Sequence, residues 1–162
     1  MPTSLYIVYY IFAFLLGLCI GSFLNVCIYR IPLGISVAKG RSICPSCETT
    51  LKGYDMVPLL SFALLRGKCR SCAAKISPRY PLVEGLTGVL FLLLALVYGF
   101  TFAAGIYAVF FACLVCIAFI DMDTQIIPDR FHIVIACLGV AAIFLVPDIL
   151  WYEHLIGAVC VS

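Results

Sequence analysis

The sequence predicts an all-α protein, a polytopic membrane helix bundle with one long polar loop. Hydrophobic residues make up 65% of the 162-residue chain and charged residues only 11%, whereas soluble domains average about 45–50% and about 25%. The charges are also segregated, because none occurs in residues 1–29 or 85–120. This pattern is typical of membrane-spanning segments and excludes a soluble domain with a charged surface all round.

Residues 1–29 are predicted to be the first transmembrane span. The apolar run 5–29 would be about 37 Å long as a helix, enough to cross a bilayer with some tilt. A secretory signal is the alternative, but no basic residue precedes the run, and it exceeds the usual ~7–15 residues. Gly17 and Gly21 form a G-x-x-x-G pair followed by Asn25, which predicts close helix packing here.

The second uncharged stretch, 85–120, predicts two spans. As one helix it would be about 54 Å long, far more than the ~30 Å hydrocarbon core. The sequence Tyr98-Gly99-Phe100-Thr101 is the plausible turn. We therefore expect spans at about 82–98 and 101–120, within a membrane region that runs from residue 82 to residue 162.

Two further apolar segments follow. A fourth span is predicted at 131–147, before Asp148. The last segment, 154–162, would cover only about 12 Å as a helix, less than half of a bilayer. We expect it to be the start of a further span, so that the sequence is part of a longer chain.

Basic residues are concentrated in the segment 30–81. It contains nine of the ten basic residues and only Glu48 and Asp55 as acids, which gives a segment charge of +7 against −5 for the rest. Loops rich in Lys and Arg face the cytoplasm. We predict a cytoplasmic loop, an outward-facing N-terminus, and a return to the cytoplasmic side at 121–130.

Four of the ten cysteines lie in this loop as two C-x-x-C pairs, Cys44 with Cys47 and Cys69 with Cys72. Two such turns complete a tetrahedral thiolate site for Zn²⁺, and four protein ligands make the site structural, because no position is left for water. The reducing cytoplasm disfavours disulfides as the alternative. Zinc binding would fold a loop that is too small and basic to fold alone.

The other six cysteines lie in apolar spans, where Cys behaves as a small hydrophobic residue. Cys113 and Cys116 form a C-x-x-C pair of their own, and the alternative interpretation is a membrane thiol redox protein. This alternative is disfavoured because no neighbouring charge lowers a thiol pKa there.

Acidic residues follow the third span, beginning with Asp121 and Asp123. Acids at the end of an apolar span mark function unless they only solvate a turn. Two residues apart on a helix, their side chains point about 200° apart, so they cannot form a carboxylate pair by themselves. Glu84 is on the same predicted side and is a candidate partner, although we favour a structural role for it, paired with Arg79.

Four stretches of the sequence carry a family resemblance. They are Gly21-Ser22-Phe23-Leu24-Asn25-Val26 with Tyr29-Arg30-Ile31-Pro32, the double C-x-x-C, Arg66-Gly67-Lys68-Cys69-Arg70-Ser71-Cys72 leading to Ile76-Ser77-Pro78-Arg79-Tyr80-Pro81-Leu82-Val83-Glu84, and Ile120-Asp121-Met122-Asp123 through Ile127-Pro128-Asp129. In these stretches and their order, the chain resembles the bacterial type IV prepilin peptidases. These are membrane aspartic proteases of the GxGD type that mature pilins and type II secretion pseudopilins.

The resemblance implies that Asp121 is one catalytic aspartate and that the site faces the cytoplasm at the bacterial inner membrane. It implies prepilin substrates with a short basic leader, cut after a glycine that precedes a hydrophobic helix. Membrane lipid is the other expected partner, and no nucleic acid is expected to bind. The resemblance also implies a cysteine loop of the kind that binds zinc in many members. Many members with this loop also N-methylate the new terminus with S-adenosylmethionine. That second activity matches no particular residues here.

The sequence departs from the family pattern at one point. The second catalytic aspartate of the family belongs to a Gly-x-Gly-Asp motif on a later span, and residues 1–162 contain no such motif. We therefore expect the N-terminal part of a longer peptidase, which shows no cleavage by itself. The alternative function is that of a non-catalytic, zinc-stabilised membrane module.

Overall fold

The computed structural model describes residues 3–145. Its helices, in chain order, are α1 (Thr3–Arg30), a short 3-10 helix (Gly53–Met56), α2 (Leu60–Leu64), α3 (Arg79–Tyr98), α4 (Phe102–Thr124) and α5 (Asp129–Leu145). The described residues form no β-strand, only isolated antiparallel bridges within the loop between α1 and α3. The predicted all-α class is confirmed, and the segment predicted at 154–162 lies outside the described residues.

Three of the described helices are long and apolar enough to cross a membrane, namely α1, α3 and α4. Helix α3 ends at Tyr98, and Gly99 adopts a φ of +60°, which glycine tolerates without strain. The hydroxyl of Thr101 then accepts a hydrogen bond from the Ala104 N–H and caps α4.

Helix α4 continues one turn beyond its predicted end at residue 120. It ends at Thr124, because Gln125 adopts the left-handed conformation (φ +53°) and its N–H donates to the Asp121 carbonyl at 2.8 Å. This is the usual way for a helix to end. Asp121 and Asp123 therefore belong to the last turn of a long apolar helix.

Helix α1 packs against α3 and α4, and α5 packs against α4. At one end of the bundle, the Tyr9 hydroxyl donates to the Gly99 carbonyl at 2.7 Å. At the other end, the Asn25 side chain donates to the Tyr80 carbonyl at 3.1 Å. The end of α1, the start of α3 and the end of α4 therefore share one end of the bundle, which we call the loop end.

The contact between α1 and α3 is very close at the G-x-x-x-G pair. A Cβ atom built on Gly17 would lie 2.8 Å from the Gly88 Cα, and one on Gly21 would lie 2.7 Å from the Glu84 Cα. Only residues without a side chain permit this approach. The predicted close packing at these glycines is confirmed.

A buried cluster joins α1, α3 and α4 near the loop end. Its members are apolar side chains that the three helices direct at each other: Leu24, Cys27, Ile28, Val83, Ala112, Val115, Cys116 and Ile120. Val83 and Ile120 have no exposed surface. Because Ile120 directly precedes Asp121, this packing fixes the start of the acidic turn of α4.

Candidate functional site

The chain that leaves α1 is folded back by one arginine. The Arg30 guanidinium donates hydrogen bonds to three backbone carbonyls, those of Ser36 (3.0 Å), Lys39 (2.8 Å) and Arg41 (3.1 Å). A guanidinium has enough donors to hold several carbonyls at once. Arg30 therefore shapes the segment that leads from the membrane helix to the first cysteine pair.

The two C-x-x-C pairs adopt the same backbone turn. In the first, the Cys44 N–H donates to the Thr49 carbonyl, and the Cys44 carbonyl accepts from the Glu48 N–H. The second turn, 69–74, repeats both hydrogen bonds at the same spacing. The residue after each second cysteine, Glu48 or Ala73, has a φ near +55°, a conformation that non-glycine residues seldom adopt without a local reason.

The four cysteine sulfurs meet at one point. All four lie within 4.8 Å of one another, and the Sγ atoms of Cys44 and Cys72 are 3.9 Å apart. Zinc at its usual ~2.3 Å from four sulfurs would separate them by about 3.8 Å. The residues predicted as ligands, Cys44, Cys47, Cys69 and Cys72, are thus brought together in a group that can hold a metal ion.

The surroundings of the cluster favour thiolates at two sulfurs. Hydrogen bonds with Thr49 lower the pKa of Cys47 to about 6, and backbone N–H groups of its own turn lower the pKa of Cys69. At Cys72 the Ala74 N–H also favours the thiolate, but hydrogen bonds with the other thiols and burial outweigh it and raise the pKa to about 11. Four adjacent sulfurs cannot all be thiolates unless a cation lies between them. This set of four sulfur donors therefore suits a bound metal ion.

The loop is tied to α3 through a buried carboxylate. Glu84 is only 8% exposed, and its Oε2 accepts a hydrogen bond from the Leu59 N–H at 2.9 Å. Leu59 has a φ of +58°. A buried carboxylate needs such a donor, so the loop satisfies Glu84 while Glu84 holds the start of α2.

The predicted pairing of Glu84 with Arg79 is wrong. The Arg79 guanidinium instead contacts the Asp123 carboxylate at 2.5 Å, donates to the Phe119 carbonyl at 3.2 Å, and lies over the Phe119 ring. Five residues apart on α3, Arg79 and Glu84 lie on different faces of the helix. Arg79 therefore joins the start of α3 to the end of α4.

Asp121 and Asp123 have different surroundings. Both are exposed, but the side chain of Asp123 is engaged by Arg79. Within residues 3–145 no hydrogen bond or ion pair holds the side chain of Asp121, although its backbone carbonyl caps the helix. This agrees with the prediction that the two acids do not share a face. It also places no second carboxylate of the described residues in contact with Asp121, Glu84 included.

Two cysteines of the apolar helices, Cys27 and Cys116, contribute to packing in the described structure. Cys116 is 1% exposed within the buried cluster, and Cys113 is a half-buried free thiol. The sequence did not predict the contacts by which two arginines organise the loop end, those of Arg30 with backbone carbonyls of the loop and of Arg79 with α4. A signal for these contacts was position, because each arginine lies where the charged segment 30–81 adjoins a largely apolar helix.

Comparison with known proteins identifies matching families over most of the chain. A model of the bacterial peptidase A24 N-terminal domain matches residues 15–98, and a model of the type IV leader peptidase family matches residues 108–162. The first match covers the second half of α1, the cysteine loop and α3. The second covers most of α4, including Asp121 and Asp123. No solved structure matches the chain.

Curated relatives carry the same family name. The prepilin leader peptidase/N-methyltransferase of Myxococcus xanthus is 43% identical over 148 residues, which cover 91% of this chain and 44% of the relative. The proteins of that name from Neisseria gonorrhoeae and Bacillus subtilis are 39% and 37% identical, with 78% and 90% of this chain and 53% and 58% of the relatives covered. The chain spans about half the length of the curated relatives it matches. The matching relatives and family models, together with the four-cysteine loop and the two acids of α4, lead to one conclusion. The chain belongs to the bacterial type IV prepilin leader peptidase family, peptidase family A24.

Proposed function

We propose that this chain functions in the cleavage of leader peptides from type IV prepilins and type II secretion pseudopilins, as part of a membrane aspartic endopeptidase. Asp121 is the proposed catalytic aspartate. The observation that supports this assignment is the contrast with Asp123. Asp123 is engaged by Arg79, whereas the exposed Asp121 carboxylate is available to water and a peptide at the end of an otherwise apolar helix.

Aspartic proteolysis divides the work between two carboxylates. The ionised one takes a proton from the attacking water, while the protonated one donates a hydrogen bond to the scissile carbonyl. Asp121 supplies one of the two groups. We propose that the other comes from a Gly-x-Gly-Asp segment outside these 162 residues, since residues 1–162 contain no such motif.

The proposed membrane orientation follows from charge. The segment 30–81 carries a net charge of +7, which favours the cytoplasmic side of the bacterial inner membrane. Arg79 and Asp123 join the start of α3 to the end of α4, so the same orientation puts Asp121 at the cytoplasmic face. Leader cleavage would then occur where a cytoplasmic leader meets the membrane.

We propose that the four cysteines bind a structural Zn²⁺. The support is the convergence of their sulfurs within 4.8 Å of one another, together with the thiolate preference for zinc. Zinc would supply the cross-link that keeps both C-x-x-C turns together.

The relatives' names include N-methyltransferase. We propose that the enzyme also has this activity, with S-adenosylmethionine as the methyl donor, and we assign it to no particular residues.

The decisive experiment compares Asp121→Asn with Asp123→Asn in the full-length enzyme, using a purified prepilin and following the mobility shift on leader removal. Asp121→Asn is expected to abolish cleavage, because an amide cannot accept the proton from water. Asp123→Asn is the matched control and should retain most activity. Cleavage by Asp121→Asn at a rate near that of the unaltered enzyme would contradict the assignment and favour a non-catalytic, zinc-stabilised module.

A second experiment addresses the missing aspartate. The 162-residue chain alone, purified in detergent and mixed with prepilin, is expected to produce no mature pilin, because it contributes one carboxylate of the two. Turnover by this chain alone would show that its own residues suffice for catalysis.

A further inference from the structure

The loop between the cysteine pairs contains a short hairpin with an apolar face that no other residue in the described range 3–145 covers. We call residues 57–68 the α2 hairpin. Its most exposed apolar side chains are Leu60, 62% exposed, and Leu64, 81% exposed. Four residues apart on α2, they lie on the same face. The opposite part of the hairpin is closed by Phe62, whose ring lies against Gly67.

The position of the hairpin is fixed relative to the membrane helices. Its backbone is held at Leu59, whose N–H donates to the Glu84 carboxylate. Glu84 is the last charged residue before the uncharged stretch 85–120, about 7.5 Å along α3 from its start at Arg79. Helix α2 therefore begins at the level where the membrane-spanning part of α3 becomes apolar, which is the level of the lipid interface.

The charges next to the apolar face fit an anionic membrane surface. Arg66 and Lys68 follow α2 directly and are exposed, and neither forms an ion pair within residues 3–145. The segment 30–81 has a net charge of +7. Basic side chains beside exposed leucines are the composition of segments that lie in the interface of anionic bilayers.

We propose that the α2 hairpin is an interfacial membrane anchor, with Leu60 and Leu64 inserted among the lipid chains and Arg66 and Lys68 at the anionic headgroups. The bilayer is the occupant of the apolar face. Interfacial helices bury such faces about 5–10 Å below the headgroups. Together with the Glu84 hydrogen bond, this contact would hold the cysteine loop against the membrane at the loop end.

The test is the depth of a tryptophan probe in vesicles. In a Trp151→Phe background, which removes the single native tryptophan, Leu64→Trp is compared with Lys75→Trp, a control in the exposed part of the same loop. The chain is reconstituted in vesicles of phosphatidylcholine and phosphatidylglycerol with brominated acyl chains. The Leu64→Trp probe is expected to emit at shorter wavelength and to be quenched several-fold more than the Lys75→Trp probe.

A second probe and a variant without the two basic charges keep the test decisive. Leu60→Trp should report the same depth as Leu64→Trp, and zinc content verifies that each variant has a folded loop. Equal quenching of the hairpin probes and the Lys75→Trp control would overturn the anchor. Replacing Arg66 and Lys68 by Gln should reduce quenching in the anionic vesicles, and an unchanged value would overturn the role of these two residues.

Discussion

The cysteine cluster and the acidic end of α4 belong to the same end of the molecule but are built in different ways. Each half of the cluster is a short turn closed by its own backbone hydrogen bonds, as at Cys44 and Thr49. The acidic end depends on a distant residue, because Asp123 is engaged by Arg79, 44 positions earlier in the chain. One region is locally encoded, and the other exists only once the helices have packed.

This difference has a consequence for robustness. Metal binding can order the cysteine turns without help from the helices, because ligands and backbone turns are part of the same segments. The position of Asp121 depends instead on the packing of α4 against α1 and α3, through side chains such as Ile120 and Val83. Changes in one region should therefore leave the other largely intact.

The largest expected effect comes from removing a ligand. Cys44→Ser should abolish stoichiometric zinc and disorder the loop, because binding free energies of structural zinc sites are about 10–16 kcal/mol in small peptides. Metal analysis of the purified chain measures the first effect and proteolysis of the loop the second. The spans should remain helical by circular dichroism.

Cys137→Ser is the matched control for this experiment. Cys137 is an exposed free thiol of α5, outside the cluster, so this variant should keep about one zinc per chain, the stoichiometry of a four-thiolate site. Zinc retained by Cys44→Ser, or lost equally in both variants, would show that the four sulfurs do not form the metal site.

The same difference decides what the sequence could predict. The grouping of the four cysteines follows from C-x-x-C spacing, and the helices follow from the uncharged stretches, since both signals are local. The partner of Arg79 was predicted wrongly as Glu84, which is near in sequence. Which of two candidate carboxylates an arginine contacts depends on the rotation of α3 against α4, and that is set by three-dimensional packing rather than by spacing.

The packing of α1 against α3 can be tested where Gly21 contacts Glu84. Gly21→Ala would place a Cβ atom 2.7 Å from the Glu84 Cα, so α1 and α3 must separate, at a cost of about 1–3 kcal/mol. A lower midpoint of thermal unfolding in detergent measures this cost. Zinc content should not change, because the ligands are held in the loop.

Gly85→Ala is the matched control on α3. A Cβ atom at Gly85 meets nothing within 4 Å, and alanine is the better helix former by about 1 kcal/mol. This variant should be as stable as the original chain or slightly more stable. If both variants unfold at the same temperature, the close approach at Gly21 does not contribute to stability.

The smallest expected effect concerns the ion pair itself. The Arg79 and Asp123 side chains are 31% and 46% exposed, and exposed pairs contribute about 0–1 kcal/mol. Asp123→Ala should therefore lower the unfolding midpoint only slightly. Arg79→Ala should lower it more, because the guanidinium also holds the Phe119 carbonyl and covers its ring. In a double-mutant cycle, the coupling between the two residues should be smaller than the whole effect of Arg79→Ala. A coupling equal to that effect would mean that Arg79 stabilises the bundle through the ion pair alone.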